Sequence, residues 1–574
     1  MESTVAAPTY AGLSRTQRWV ILTALGIGTI MGPLDGSVVN IALPQIRLSF
    51  QVSLASVEWV SMIYLLVISS LLLTYGRVGD LYGHRPVYLA GFTVFTAGSL
   101  LCSLAPTLPS LLLFRAIQAI GAGMLMASGP AILTDVFPPL ERGQALGINA
   151  MVVAVGLAAG PIVGGYLVDH LGWRSIFYVN LPIGLVGTWW AARVLPPVRP
   201  NPATPTLSSA LPTPAVALEP AQVSSDGPGG TTASEPSDGL SATARPGIGS
   251  AVTFDPGGAI SISVALGALL LAISYGGSWG WTSVPVLALF AGGVALLATF
   301  ISIERRHPAA LVDLDLFRNR LFSAANLSSL LNYLTQFIVT FLMPFYLQDL
   351  LGLSPSRAGE LLIAYPLTVM LVAPFAGWLS DRLGSLHLAA AGMGVMAVAI
   401  FFLSQLNAAA AAGDIVWRLA LFGLGTGLFQ SPNNSAIMGS VPRPRLGQAS
   451  GMLATMRNVG MVLGIAVSGA TFSSRQAFHF RQLVLAGAHS AGSAAAQHLG
   501  SGPASLATGP GSQIARQAFV LALHDTFLVA ALLATLGMLT SLIRGQGHPG
   551  QLEKTLCHEA NQAELVGFDE RNEG

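Results

Sequence analysis

The sequence predicts an all-α polytopic membrane protein, and three observations support this fold class. First, 52% of the 574 residues are hydrophobic and only 9% are charged, whereas soluble domains carry about 25% charged residues. Second, the chain contains about fourteen apolar runs near the length of roughly 20 residues that a spanning helix needs. Third, backbone polar groups in lipid need partners within their own segment, and the runs lack the alternation of barrel strands, so helices are favoured.

The predicted spans fall into groups that are separated by polar segments. They lie at 18–42, 56–76, 86–105, 109–136, 145–168 and 176–195, then at 257–276 and 283–303, and finally at 321–348, 359–379, 386–406, 414–438, 447–470 and 519–543. The stretch 196–256 is rich in Pro, Ser, Thr, Ala and Gly. It cannot bury enough apolar surface to fold alone, so we predict a disordered cytoplasmic linker. The Ala-, Gly- and Ser-rich stretch 471–518 is predicted to be a long external loop.

The distribution of positive charge predicts the orientation in the membrane. If the polar N-terminal segment 1–17 is cytoplasmic, most arginines fall in cytoplasmic segments, together with Lys554, the only lysine. Because cytoplasmic loops carry an excess of Lys and Arg, we predict a plasma-membrane protein whose N-terminus and polar tail, 544–574, are both cytoplasmic. The net charge of +1 does not favour a nucleic-acid partner. Neither of the two cysteines belongs to a pattern with the spacing of a metal site, so no metal or other cofactor is expected.

The chain also repeats itself at a nearly constant offset. The segment 76–83 aligns with 377–384 at an offset of 301, and 143–147 aligns with 447–451 at an offset of 304. Several such matches in order predict two homologous halves, 18–195 and 321–543, each with six helices. The helices at 257–303 are then an inserted pair. Parallel halves related by an axis along the membrane normal are a transporter architecture.

Two charged residues inside apolar segments are the most informative positions. Asp35 lies in the first predicted span and Arg115 in the fourth. A charge at the centre of a membrane helix costs about 3 kcal/mol on insertion scales. Such residues normally face a bundle interior or a water-filled path, so this acid and this base indicate transport.

The loop after the second predicted span reads Gly76-Arg-Val-Gly-Asp80-Leu-Tyr-Gly83-His-Arg85. Its glycines permit a tight turn and close helix approach, and Asp80 can bond backbone N–H groups at a helix start or pair with an Arg. The loop strongly resembles the signature loop of the major facilitator superfamily. We predict that it takes part in gating, and the alternative is a structural turn. The residues assigned to this role are Gly76, Asp80, Gly83, Arg85, Arg142 and, in the repeated loop, Asp381.

A second motif lies in the fifth predicted span and consists of Gly156, Gly160, Pro161, Gly164 and Gly165. It resembles the antiporter motif of the drug exporters in the same superfamily. Small residues at every fourth position allow close helix packing, and the proline removes a backbone hydrogen bond and bends the helix. The motif is predicted either to control leak and direction of transport or simply to pack helices.

The first predicted span ends in Leu34-Asp-Gly-Ser-Val-Val-Asn-Ile-Ala-Leu-Pro44, which resembles the first-helix motif of the fourteen-helix drug/proton antiporters. With Phe114-Arg115 and the segment 173–184, the chain is identified as a member of that family, over nearly every predicted helix. The resemblance implies a major facilitator fold of fourteen transmembrane helices. It also implies that Asp35 and Arg115 line a central cavity and couple transport to protons. Alternatively, Asp35 caps a helix or bonds Asn40 in a fixed network.

Other polar residues within the spans are candidates for the wall of a substrate cavity, although such residues often only join helices. They are Asn40, Tyr64, Asn149, Asn332, Gln336, Gln430 and Asn433. Asp35 is the only clear acid in the middle of a predicted span, since Glu58, Glu360 and Asp414 lie near the ends of their segments. This makes a dicationic substrate less favoured than a small hydrophobic, amphipathic or monocationic one.

Together these features predict a secondary active efflux transporter that exchanges drug-like amphipathic compounds for protons by alternating access. Its partners are the lipid bilayer, protons and the substrate, and we expect a monomer. An enzyme is not predicted, because nucleophile–base pairs, metal clusters and phosphate-binding loops are missing from the sequence. The alternatives are a dedicated exporter of one metabolite, such as an antibiotic, siderophore or lipid of the cell itself, and a membrane sensor or scaffold that has lost transport.

Overall fold

The computed structural model describes residues 13–196, 256–306, 314–441, 446–491 and 510–543. The regular elements of this described part are helices, which confirms the predicted all-α class. They are α1 (Arg15–Phe50), α2 (Leu54–Val57), α3 (Trp59–Tyr82), α4 (His84–Ser103), α5 (Leu108–Val136), α6 (Pro139–Leu171), α7 (Ser175–Tyr178), α8 (Asn180–Val194), α9 (Pro256–Trp279), α10 (Val284–Arg306), α11 (Arg320–Phe345), α12 (Pro355–Leu362), α13 (Ala364–Leu383), α14 (Ser385–Ser404), α15 (Ala412–Gly439), α16 (Leu446–Ala491) and α17 (Pro510–Ile543). A 3-10 turn, Leu314–Arg318, precedes α11, and a π-helical turn, Tyr346–Leu350, follows it.

Within the described residues, 12 helical segments are long and apolar enough to cross a membrane. The predicted span 176–195 corresponds to the short helices α7 and α8, and the predicted span 257–276 corresponds to α9, where a shorter apolar helix covers Val264–Gly276. The count of fourteen therefore stays a prediction. The predicted linker lies outside the described residues, as do residues 1–12 and the tail from residue 544.

The same helix pairings occur twice along the chain. Helix α1 packs against α6, and α5 packs against both α3 and α4. Later in the chain α11 packs against α16, and α15 packs against both α13 and α14. We call helices α1–α8 the first group and helices α11–α17 the second group. The inserted helix α9 packs against α3 and α16, so it contacts both groups, whereas α10 packs against α9.

The two repeated loops turn on glycines in the left-handed region of backbone conformation. Gly83 has φ +91° between α3 and α4, and Gly384 has φ +83° between α13 and α14. Residues with a Cβ rarely adopt this conformation, whereas glycine adopts it readily. The expectation that a glycine permits the tight turn is therefore correct at Gly83 and Gly384. The predicted loop 76–85 is otherwise helical, because residues 76–82 end α3 and residues 84–85 begin α4.

The structure differs from the predicted loop at 471–518. Residues 471–491 continue α16 and residues 510–518 begin α17, so much of this stretch is helical. Alanine favours helix, and the added turns also interact. Asp525 on α17 accepts hydrogen bonds from Arg475 at 2.5 Å and from His479 at 2.8 Å, both on α16. These contacts join the extended end of α16 to α17.

Glu58 lies near the start of its span, as expected, but its burial was not predicted. Ser53 caps α2, and the span extends over Leu54–Leu72, so Glu58 lies at the α2–α3 junction inside the span. Its side chain is fully buried. Asp35 is therefore not the only buried acid of the membrane region.

Candidate functional site

Asp35 and Arg115 form a buried ion pair. Arg115 Nη1 on α5 donates to Asp35 Oδ2 on α1 at 2.6 Å. Both side chains are 1% exposed. A charge-assisted hydrogen bond of this length is among the stronger interactions in proteins, and in a medium of low polarity each charge needs the other. The structure thus brings together the two residues that the sequence identified separately.

The two oxygens of the Asp35 carboxylate have different partners. Oδ2 accepts from Arg115, whereas Oδ1 accepts from Gln118 Nε2 at 2.8 Å and from Asn180 Nδ2 at 2.8 Å. Gln118 lies on α5 and Asn180 on α8. The carboxylate is therefore held by one cation on one side and by two neutral amides on the other.

Arg115 has further acceptors besides the carboxylate. Its Nη1 also donates to Gln118 Oε1 at 2.6 Å, and its Nε donates to the carbonyl of Val60 on α3 at 3.2 Å. The guanidinium lies 4.2 Å from the centre of the Tyr64 ring and 5.7 Å from that of Phe177. Cation–π contacts of this kind are stronger when desolvated. Arg115 thus keeps two hydrogen-bond acceptors that do not depend on Asp35.

A second layer of side chains from α4 supports the network. Ser99 Oγ accepts from Gln118 Nε2 at 2.8 Å and from Asn180 Nδ2 at 3.4 Å. The Cys102 sulfur lies 3.8 Å from Gln118 Oε1. The sequence analysis did not assign Ser99, Gln118 or Asn180 to the site. Gln118 had a usable signal, because it follows Arg115 by three positions and so shares its helix face.

Three of the predicted cavity residues lie in the first group of helices, and each contacts a different partner. Asn40 accepts from Ser61 Oγ at 3.1 Å, so it is not the partner of Asp35 that one alternative envisaged. Tyr64 lies under the guanidinium of Arg115, and its hydroxyl has no hydrogen-bond partner among the described residues. Asn149 accepts from Thr29 at 2.7 Å and joins α6 to α1.

Four candidates lie on α11 and α15. Gln430 Nε2 donates to Gln336 Oε1 at 3.3 Å, which brings these two residues together. Asn332 faces the sulfur of Met396 at 3.2 Å, and Asn433 donates to the carbonyl of Ala325 at 3.1 Å. The last two therefore join helices in this conformation. The seven candidates do not converge on a single cluster.

Helix α6 packs closely on α1 through its glycine motif. A Cβ at Gly160 would collide with Ser37, and one at Gly164 would come within 3.0 Å of the Cα of Val38. Ser37 Oγ donates to the carbonyl of Leu157 at 3.1 Å. That carbonyl lies four residues before Pro161, which has no N–H to donate to it. The space at Gly160 thus admits the hydroxyl that replaces the missing helical hydrogen bond.

The same motif also faces the second group of helices. A Cβ at Gly165 would collide with the carbonyl of Pro355 on α12, and one at Gly359 would collide with the carbonyl of Pro161. The backbones of α6 and α12 therefore approach each other directly. The motif therefore contacts α1 through Gly156, Gly160 and Gly164, and it contacts α12 through Gly165 and the carbonyl of Pro161.

The residues assigned to gating have structural contacts. Arg85 donates to the carbonyls of Leu195 at 2.9 Å and Ala192 at 3.1 Å, so it satisfies the end of α8. Arg142 donates to the carbonyl of Phe137 at 3.0 Å. A Cβ at Gly76 would meet no atom within 4 Å. The side chains of Asp80 and Asp381 lie outside the described part of the structure.

Comparison with known proteins agrees with this architecture. The family model described as Major Facilitator Superfamily matches residues 25–230, 256–465 and 325–543. The riboflavin transporter RibZ of Clostridioides difficile is 33% identical over 459 residues, which cover 80% of this chain and 89% of RibZ. The multidrug resistance protein Stp of Mycobacterium tuberculosis is 30% identical over 463 residues, which cover 80% of this chain and 77% of Stp.

Among solved structures, the fold is similar to that of a bacterial homologue of the human lysosomal transporter Spinster in an inward-facing, unoccupied conformation. The TM-score is 0.59 at 18% identity, with 94% of this chain and 100% of the other covered. The family match extends over most of the chain, and RibZ, a relative at 33% identity, is named as a transporter. The chain is therefore a multi-pass membrane transport protein, and it belongs to the Major Facilitator Superfamily.

Proposed function

We propose that this transporter exports drug-like amphipathic compounds in exchange for protons, by alternating access. The observation that carries the proposal is the buried pair of Asp35 and Arg115. Keeping two opposite charges in a membrane-embedded core is costly, and an apolar replacement of similar volume is often no less stable. A pair retained in this position is therefore better explained by a role in proton exchange than by stability alone.

The asymmetry of the Asp35 carboxylate supports a specific order of events. Oδ1 accepts from the amides of Gln118 and Asn180, which a protonated carboxyl group still satisfies with its carbonyl oxygen. Oδ2 accepts only from Arg115 in this network. In our proposal the proton binds Oδ2, and Arg115 withdraws towards the carbonyl of Val60 and Gln118 Oε1. Proton binding would then loosen α1 from α5.

The contacts between the two helix groups support the link to alternating access. The close approach of α6 and α12 and the hydrogen bond from Gln348 Nε2 to the carbonyl of Ile41, 2.8 Å, hold the groups together at one end. The carbonyl of Ile41 belongs to the helix that carries Asp35. A shift of α1 on protonation would therefore disturb this hydrogen bond. We place the protein in the plasma membrane as a monomer, with both termini in the cytoplasm.

A second candidate function is the dedicated export of one metabolite, because RibZ, a relative at 33% identity, is named as a transporter of riboflavin. Efflux assays in a host lacking its own pumps distinguish the two proposals. A panel of amphipathic drugs, flavins and other metabolites should show several unrelated substrates for a multidrug exporter. Export of one compound class alone would favour the dedicated exporter.

The proton step is tested with purified protein in proteoliposomes under an imposed pH gradient. Asp35→Asn and Arg115→Gln should each lower stability, since removing one member of a buried pair costs about 3–5 kcal/mol. The double variant carries no uncompensated charge, so its thermal stability should recover most of this loss. It should still fail to use the pH gradient. Gradient-driven transport by the double variant at the wild-type rate would show that the pair is structural.

A further inference from the structure

A second buried carboxylate lies away from the Asp35 network. Glu58 lies at the junction of α2 and α3, and its exposed fraction is 0%. Neither of its carboxylate oxygens has a hydrogen-bond partner among the described residues. Ser274 on α9 is a neighbouring hydroxyl, but it donates to the sulfur of Met62 at 3.8 Å. Glu58 therefore differs from Asp35, whose oxygens accept three hydrogen bonds.

Three parts of the chain enclose this carboxylate. Glu58 itself lies between α2 and α3, Ser274 belongs to the inserted helix α9, and Gly469 belongs to α16. A Cβ at Gly469 would collide with the Glu58 carboxylate, so the absence of a side chain there lets the carboxylate pack against α16 in this position. The carboxylate thus occupies the point where α9 bridges α3 and α16.

Among the described residues, the charged and titratable groups around Glu58 do not supply a counter-ion. On α9 the adjacent titratable group is Tyr275, a neutral phenol. On α16 the next cation along the helix is Arg475, which is bonded to Asp525. An ionised carboxylate that is buried without a partner costs several kcal/mol, and such groups normally take up a proton instead. Glu58 therefore carries a proton in this conformation.

A cavity provides a route to this site. It lies between α9 and α16, has a volume of about 280 Å³, and its lining includes Ile273, Ala470 and Arg475. Ile273 is the residue before Ser274, and Ala470 is the residue after Gly469. The cavity is therefore one residue away from the two positions that enclose Glu58. A space of this size can hold several water molecules, so it could supply protons close to this site.

We propose that Glu58 is a second proton-binding site, which exchanges its proton through the cavity between α9 and α16. The inserted helix pair then belongs to the proton-coupling machinery rather than being a peripheral addition. The protonated state follows from burial and geometry alone, whereas the coupling role rests on the proton antiport proposed above. The ligand of this site is the proton itself, because the carboxylate is fully buried and no second carboxylate or other ligand of a metal cation is described beside it.

The protonation state is tested by infrared spectroscopy of the purified protein in nanodiscs. Wild type should show the C=O stretching band of a protonated carboxyl group at neutral pH, and Glu58→Gln should lose it. Glu360→Gln is the matched control, because Glu360 is an exposed acid that is paired with Arg357 at 2.7 Å. That variant should keep the band. An unchanged band in Glu58→Gln would overturn the proposal.

Thermal unfolding provides an independent check. A neutral isostere of a protonated acid should unfold at the wild-type temperature or above it. If Glu58→Gln folds poorly or unfolds at a clearly lower temperature, the native side chain is ionised and paired, and the proposal is wrong.

The coupling role is tested by counting protons moved per substrate in proteoliposomes. Glu58→Gln should transport with a lower proton-to-substrate ratio than wild type, while Glu360→Gln should match wild type. An unchanged ratio in Glu58→Gln overturns the coupling role. If wild type itself moves no protons, proton antiport and the coupling role fail together, and the infrared band still decides separately whether Glu58 holds a proton.

Discussion

Arg47 and Asp349 form an ion pair with a distance of 2.7 Å between Nη2 and Oδ2, although they are 302 positions apart in the chain. Beside them, Gln45 Nε2 donates to Gln348 Oε1 at 3.3 Å, across 303 positions. These separations are close to the offsets of 301 and 304 at which the sequence repeats. Nearly equivalent residues of two related halves can meet only near the axis that relates them. The ion pair therefore marks where that axis leaves one end of the bundle.

The ion pair leads to a prediction about the closed end of the transporter. Arg47→Asp and Asp349→Arg should each place like charges together and shift the population towards the state in which this end is open. The double reversal should restore the closed population. Distances between spin labels on α1 and α11 would measure the shift. Equal populations in all four proteins would show that the pair does not influence this equilibrium.

Because α6 and α12 approach closely, added methyl groups at their contact should interfere with packing, and a glycine elsewhere on α6 provides the control. Gly165→Ala places a methyl group against the carbonyl of Pro355, and Gly359→Ala places one against the carbonyl of Pro161. Both variants should weaken the closed state and reduce transport. Gly147→Ala on α6 should have little effect, because its Cβ meets nothing within 4 Å. Wild-type transport by Gly165→Ala and Gly359→Ala would mean that the backbones can separate at no functional cost.

The amides around Asp35 predict graded losses of stability. Asn180→Leu removes a donor from Oδ1 of the buried carboxylate, which should cost about 1–3 kcal/mol and reduce proton-driven transport. Ser99→Ala removes a hydroxyl that touches the amides but not Asp35. Its effect on transport should be smaller. The measurement is thermal unfolding combined with transport at saturating substrate. A larger transport loss in Ser99→Ala would contradict the arrangement proposed for this network.

The sequence predicted the membrane class and the special status of Asp35 and Arg115 because a charge in an apolar run is conspicuous. It could not predict that they pair, since the two residues are 80 positions apart on different helices. Asn180 was not predicted as a site residue for the same reason, since its partner Asp35 lies on a different helix. A buried amide side chain cannot be recognised as a site residue from the sequence, because its role depends on a partner from another helix.

Glu58 was missed for a different physical reason. Apolar composition predicts a span that begins at residue 56, whereas the helix that Ser53 caps begins at Leu54, four residues before Glu58. The burial of this acid also depends on Gly469, which belongs to a distant part of the chain. Hydropathy therefore places this acid near the end of a span, but it cannot show that other helices enclose the side chain.

The charge distribution predicts the topology independently of these sites. Tags at both termini and within 196–256 should be protected from a reagent that cannot cross the membrane, whereas a tag near residue 495 should react. The reason is the excess of arginine in the segments assigned to the cytoplasm. Labelling in intact cells, with permeabilised cells as the control, measures this. A reactive terminus in intact cells would overturn both the orientation and the even number of spans.

Cys102 gives the chain a natural reporter of helix separation. The sequence has two cysteines, and Cys102 is buried beside Gln118 in the Asp35 network. A thiol reacts only when a reagent can reach it. In a Cys557→Ser background, the rate at which a small maleimide modifies Cys102 would therefore report how often α4 and α5 open around the carboxylate. Substrates and pH gradients could then be ranked by their effect on that rate, without any engineered label.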